Sequence, residues 1–218
     1  VQLPFTAERF YNVFREYNTA LWPVQVALVV LALAAISLVI VRRRWSGVGV
    51  SIILAMLWAW LGVAYHLAFF TAISPLAYGF AAVSVAGSLV FVWQGVIQRR
   101  LEFALASNAR SAVGVLLVVF ALVIYPAWSV LAGHHYPALP TFGLPCPTTI
   151  FTVGVLAFMV TPYPRSPFAA PILLSLVGGQ AAFLLGVPQD LGLLAAGVVG
   201  VVLLARSKVG HASKAVSP

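Results

Sequence analysis

Apolar residues occupy this chain in long unbroken runs rather than in alternating or single-face patterns, and basic residues or prolines interrupt them. A helix that crosses the hydrocarbon core of a bilayer needs about 20 apolar residues in succession. Read against that length, the chain predicts seven spans: Leu21 to Val41, Val48 to Phe70, Leu76 to Ile97, Ser111 to Ala132, Thr148 to Val160, Phe168 to Val187, and Leu191 to Ala205. Arg42, Arg43 and Arg44 stop the first, Pro75 follows the second, and Arg99 and Arg100 close the third. Pro126 predicts a kink in the fourth, tolerated where neighbouring helices satisfy the freed carbonyl. The fifth is short and bounded by Pro147 and Pro162.

The segment before the first run, LPFTAERFYNVFREYN, follows another rule. Phe10, Val13, Phe14 and Tyr17 recur at the spacing of one helical face, and Glu8, Arg9, Asn12, Arg15 and Glu16 fill the other. Thr6 is suited to cap its start. This predicts an amphipathic helix lying on the membrane interface, with a lid over the bundle as the alternative. The expected organisation is an interfacial helix over 1–19, a seven-helix transmembrane domain over 20–206, and a cytoplasmic tail over 207–218. The fold class is therefore all-α, a polytopic membrane helix bundle. No stretch has the form of a cleavable leader, because the first apolar run is too long and lacks a small-residue cleavage site.

Composition makes the membrane reading necessary. Of 218 residues, 62% are hydrophobic and 7% charged, where a soluble domain carries roughly 25% charged residues. Mean hydropathy is +1.06. The net charge of +8 would suit a nucleic-acid partner if the cations clustered on a folded polar surface. Instead, ten of the twelve Lys and Arg fall between spans on one side: Arg42, Arg43, Arg44, Arg99, Arg100, Arg110, Arg165, Arg206, Lys208 and Lys214. The positive-inside bias then places the N-terminus outside and the C-terminus in the cytoplasm. The basic balance reads as topology and contact with anionic lipid heads, so no nucleic-acid partner is expected.

On that topology the connector GHHYPALPTFGLPCPTT faces outward with His66, near the end of the second span, and Asp190, in the turn VPQD. His66, His134, His135 and Cys146 are the candidate metal ligands, since thiolate with imidazole suits copper or zinc. Cys146 sits beside the start of the fifth helix, where the helix dipole favours thiolate; it equally suits a small packing residue. His66 could be a single axial haem ligand, or a core histidine bonded to a neighbouring span. His134 and His135 read as ligands or as solvated interface residues. A single cysteine excludes an intrachain disulfide. The predicted spans hold no Lys, Arg, Asp or Glu, which argues against an ion-coupled transporter. The seventh lacks the lysine a retinal protein needs. No phosphate loop, HExxH or GxSxG motif is present.

LPFTAERFYNVFREYNTALWP, WAWLGVAYHLAFFTAISP, YPALPTFGLPCPTT and PYPRSP, in that order, resemble a family of bacterial multi-pass membrane proteins known only as a domain of unknown function. The resemblance implies residence in the bacterial inner membrane and carries over no catalytic residue. Three readings of function follow. The first is an accessory or structural protein that binds lipid, a partner membrane complex or a second copy. The second binds or transports a soft metal ion or small apolar ligand at the outer face. The third is a haem or metal redox protein.

Overall fold

Thr6 opens the first helix as its sequence predicts: its side chain accepts a hydrogen bond from the Arg9 backbone N–H at 3.3 Å, satisfying one of the donors a helix start leaves free. The computed structural model describes residues 5–207, so Lys208, Lys214 and the rest of the expected tail lie outside the described residues. The elements are α1 (Ala7–Ala20), α2 (Val24–Val41), α3 (Ser46–Ala72), α4 (Ala77–Ile97), α5 (Ala109–Leu131), α6 (Pro145–Leu156), α7 (Ser166–Leu184) and α8 (Pro188–Arg206). Among the described residues there are no strands, only isolated bridges such as Phe103 with Met159.

Six of these helices, α2 to α5 with α7 and α8, are long and apolar enough to cross a membrane. This is one fewer than the seven spans expected, and the missing one is the short fifth. The predicted fifth, α6, has 12 residues, about 18 Å at 1.5 Å per residue, against a hydrocarbon core of about 30 Å. It starts earlier than expected because Pro145 and Pro147 both fit the first helical turn, where their missing N–H groups cost nothing. It ends early because the chain turns to pair with another segment. Ala104 N–H donates to Phe158 O at 2.9 Å, and Val160 N–H donates to Glu102 O at 2.8 Å.

Every residue of α6 from Pro147 to Leu156 is buried, so protein surrounds it on all sides. Trp58 of α3 is wholly buried and donates its indole N–H to Thr152 of α6 at 3.1 Å, as a buried indole requires. On the opposite side Gly114 of α5 and Gly154 meet so closely that a Cβ on either would lie within 3.0 Å of the other's carbonyl oxygen. The outer helices behave differently. Leu28, Ala32, Ala35 and Val39 of α2 face the core, while Val26, Val30 and Leu33 stand about half exposed on the flank. The glycines of the last two helices are packing positions, as expected: Gly197 abuts Ser175 and Gly200 abuts Ile172.

The arginines beyond α1 collect at one end. Arg110 donates to Met159 O at 2.6 Å, Arg165 donates to Ser207 at 2.9 Å, and the start of α3 at Gly47 abuts Leu101. The opposite end carries α1, the 132–144 connector and the 185–190 turn. There α1 departs from the interfacial expectation. Phe10, Val13, Phe14 and Tyr17 are buried at 0–8% exposure, in one cluster with Tyr65, Phe70, Leu144 and Leu185. Its apolar stripe is satisfied by the bundle, which is the lid arrangement.

Candidate functional site

Asn18, at the last turn of α1, fixes that lid. Its side-chain amide donates to the carbonyls of Pro137 and Leu139, both at 2.7 Å, and its Oδ1 accepts from Thr141 at 2.7 Å. Gln25 of α2 and the hydroxyl of Tyr136 donate to the Asn18 backbone carbonyl, each at 3.2 Å. Tyr17 accepts from the Trp60 indole at 2.7 Å. The connector can close against α1 because Gly143 adopts φ +99°, a conformation that strongly favours glycine; a Cβ there would collide with Leu28.

Beneath α1 lies a cavity of about 300 Å³. Its walls are mostly aromatic and aliphatic: Phe10 and Phe14 from α1, Phe70 and Phe80 from α3 and α4, and Leu174 and Leu185 from α7 and the turn after it. The polar groups are few, with His66, Tyr125, Cys146 and Thr149 among them. Two sit where a helix departs from α geometry. His66 belongs to a π-helical turn over Leu61–Leu67, and Tyr125 directly follows another over Phe120–Ile124. The second absorbs Pro126, so the expected kink takes the form of a widened turn. Such turns are frequent at functional sites.

His66 is 3% exposed, and among the described residues neither ring nitrogen has a hydrogen-bond partner. Its neighbours are Phe80, at 5.6 Å between ring centroids, and Tyr65, at 5.2 Å. The expected bond to a neighbouring span is therefore not formed. An imidazole carries two strong polar groups, and leaving them buried and unpaired costs free energy.

Behind the wall lies a carboxylate. Asp190 is wholly buried in the first turn of α8, not in an open turn between spans as the sequence suggested. Tyr125 donates to its Oδ1 at 2.6 Å and the Cys146 thiol donates to its Oδ2 at 3.6 Å. Gln189 adds a second tie to α5 by donating to Ser129 at 2.9 Å. A thiol that donates its proton is not the free thiolate suggested by its position at a helix start.

The four sequence-predicted ligands part company here. His66 and Cys146 line the cavity. His134 stacks on Tyr11 at 3.8 Å between centroids, and neither it nor His135 lines the cavity. Among the described residues no three His, Cys, Asp or Glu side chains group as a metal site. Sequence reasoning passed over Tyr125 and gave Asp190 no role. The signal for Asp190 was available: it is the single acidic residue beyond α1 other than Glu102.

The fold is an all-α bundle whose amphipathic first helix covers an apolar cavity. The family of unknown function DUF6064 matches residues 7–214, and the chain belongs to it. No curated protein and no solved structure matches the chain.

Proposed function

We propose that this is a multi-pass protein of the bacterial cytoplasmic membrane, an accessory component that binds a small, mostly apolar ligand under its first helix. The chain crosses seven times, six as full helices and once as α6 completed by the irregular 157–165 segment. The arginine end faces the cytoplasm by the positive-inside bias, so α1 and the cavity face outward. The exposed Val, Leu and Trp side chains along the flanks, such as Val30, Leu116 and Val198, meet lipid.

One observation carries the binding reading: a wholly enclosed imidazole with unpaired nitrogens lines an apolar cavity of a size that ligand pockets have. Copper or zinc is not part of the proposal, because the described residues bring no third ligand to His66 and Cys146. The test is photolabelling of the full chain in phosphatidylcholine nanodiscs with a diazirine-bearing alkane. Adducts on Phe10, Phe14 or Leu185 support the reading. Adducts confined to flank residues such as Val30 and Val198 overturn it.

A further inference from the structure

We infer that the ligand is a neutral lipid of the bilayer, with one hydroxyl or carbonyl head held by His66 and a hydrocarbon tail that leaves sideways between α4 and α7. This rests on the binding reading above and adds the chemistry of the ligand and its route. Three features carry it.

The first is the head. A neutral imidazole presents one N–H donor and one acceptor nitrogen, and His66 lines the cavity with both nitrogens unpartnered among the described residues. A hydroxyl both donates and accepts, and a carbonyl accepts. Either removes a penalty that a plain hydrocarbon would leave in place.

The second is charge. No Lys or Arg lines the cavity, and the two lining residues Tyr125 and Cys146 already spend their protons on the buried carboxylate of Asp190. An anionic head would be desolvated with no counter-charge and with a carboxylate close behind the wall. Phosphate-bearing lipids are excluded on that ground.

The third is the opening. Leu76, Val177 and Leu184 line the cavity and are themselves 62%, 40% and 42% exposed on the flank of the bundle. The α7 helix is interrupted at Gly179 and Gln180, so only the short Ala181–Leu184 turn stands there. The cavity is thus reached through an apolar side wall rather than from the polar end, which α1 covers. A cavity of about 300 Å³ holds roughly ten water-sized groups at ~30 Å³ each, enough for a head and the first part of a chain, with the remainder in the bilayer.

The experiment compares three diazirine probes of equal chain length on the full chain in phosphatidylcholine nanodiscs: an alkane, the corresponding primary alcohol, and its phosphate monoester. Adducts are mapped by mass spectrometry. The alcohol should label cavity residues about tenfold more than the alkane, the yield of one hydrogen bond of ordinary strength, and the phosphate least of all. His66→Leu should bring the alcohol down to the alkane, and His66→Gln should restore part of the difference. Leu184→Trp, at an exposed position, should reduce cavity labelling by all three probes. Equal labelling by alkane and alcohol overturns the head assignment while leaving a binding cavity. Strong phosphate labelling overturns the charge argument. Unchanged labelling in Leu184→Trp overturns the side route. Absence of cavity adducts with every probe removes the binding reading itself. If His66→Leu does not fold, the ratios in the wild-type chain still decide the head.

Discussion

The phenol of Tyr125 donates to Asp190 Oδ1 at 2.6 Å, joining the middle of α5 to the first turn of α8 inside the protein. Both residues are buried to within 1%, and no charged donor is among the hydrogen-bond partners of the carboxylate. Hydrogen bonds to charged groups contribute about 1.5–3 kcal/mol. Tyr125→Phe should lower stability by about that much. In an Asp190→Asn background the same change should cost about 1 kcal/mol, the ordinary value for a neutral pair. Denaturant titration of detergent-solubilised protein in a double-mutant cycle measures the difference. Equal costs in both backgrounds would show that the two side chains are not coupled.

Asn18 ties α1 to the connector through two backbone carbonyls and Thr141. Asn18→Ala removes all three bonds and leaves part-buried carbonyls unpaired, a loss on the order of 1–3 kcal/mol. Amide exchange should accelerate in 7–20 and 136–141 and stay unchanged in α6. Uniform acceleration over the whole chain would mean that Asn18 supports the global fold instead of the lid.

Cys146 reports on the same lid from below. It lines the cavity and is partly shielded. Maleimide should modify it slowly in the native chain and at least several-fold faster in Asn18→Ala. A rate indifferent to that change would indicate that reagents reach the thiol by another way.

His134 should make α1 docking pH-dependent. Burial holds its imidazole below the ordinary value, with His135 adding to the shift. The docked state therefore binds the proton less readily than the undocked state. Docking is strongest above the ordinary imidazole value of about 6.5 and weakens as pH falls below it. Amide exchange in α1 should rise over that interval, and His134→Phe should flatten the response. Tyr11, the stacking partner, is pushed up to about 12 by burial and the nearby Asp190, so it stays neutral throughout.

Glycine substitutions separate conformation from packing. Gly143→Ala meets both φ +99° and Leu28, and should cost the most of the three, roughly 2–5 kcal/mol. Gly133→Ala has φ +90° with open space around it, and should cost roughly 1–2 kcal/mol. Gly79→Ala, helical and unobstructed, should stabilise by up to about 1 kcal/mol. Thermal unfolding ranks the three, and any other order contradicts the local geometry.

What the sequence revealed depended on whether the deciding contacts were local. Continuous hydropathy located α2 to α5 almost to their ends, and the 3.6-residue recurrence of Phe10, Phe14 and Tyr17 located α1. Neither pattern says what an apolar face packs against, so the sequence left interface and lid both open for α1, and only the structure shows its stripe buried on the bundle. The end of α6 was misplaced for the same reason, at Val160 instead of Leu156. An all-apolar run looks alike whether lipid or protein surrounds it, and the bonds that end the helix come from Glu102 and Ala104, more than fifty residues away. His66 and Cys146 drew attention by residue type. Tyr125 did not, since nothing beside it in the chain announces Asp190.

The enclosure of α6 bears on how such a chain comes to be built. A twelve-residue helix sheathed in protein offers too little surface for the insertion machinery to select it alone. On the proposed seven-crossing topology, its commitment to the bilayer must come from helices already in place, and α7 and α8 take their direction from that commitment. Biogenesis of the last third is therefore conditional on assembly of the first two-thirds, and a defect at the α5–α6 glycine contact would emerge as inverted or degraded C-terminal helices before it emerged as lost binding.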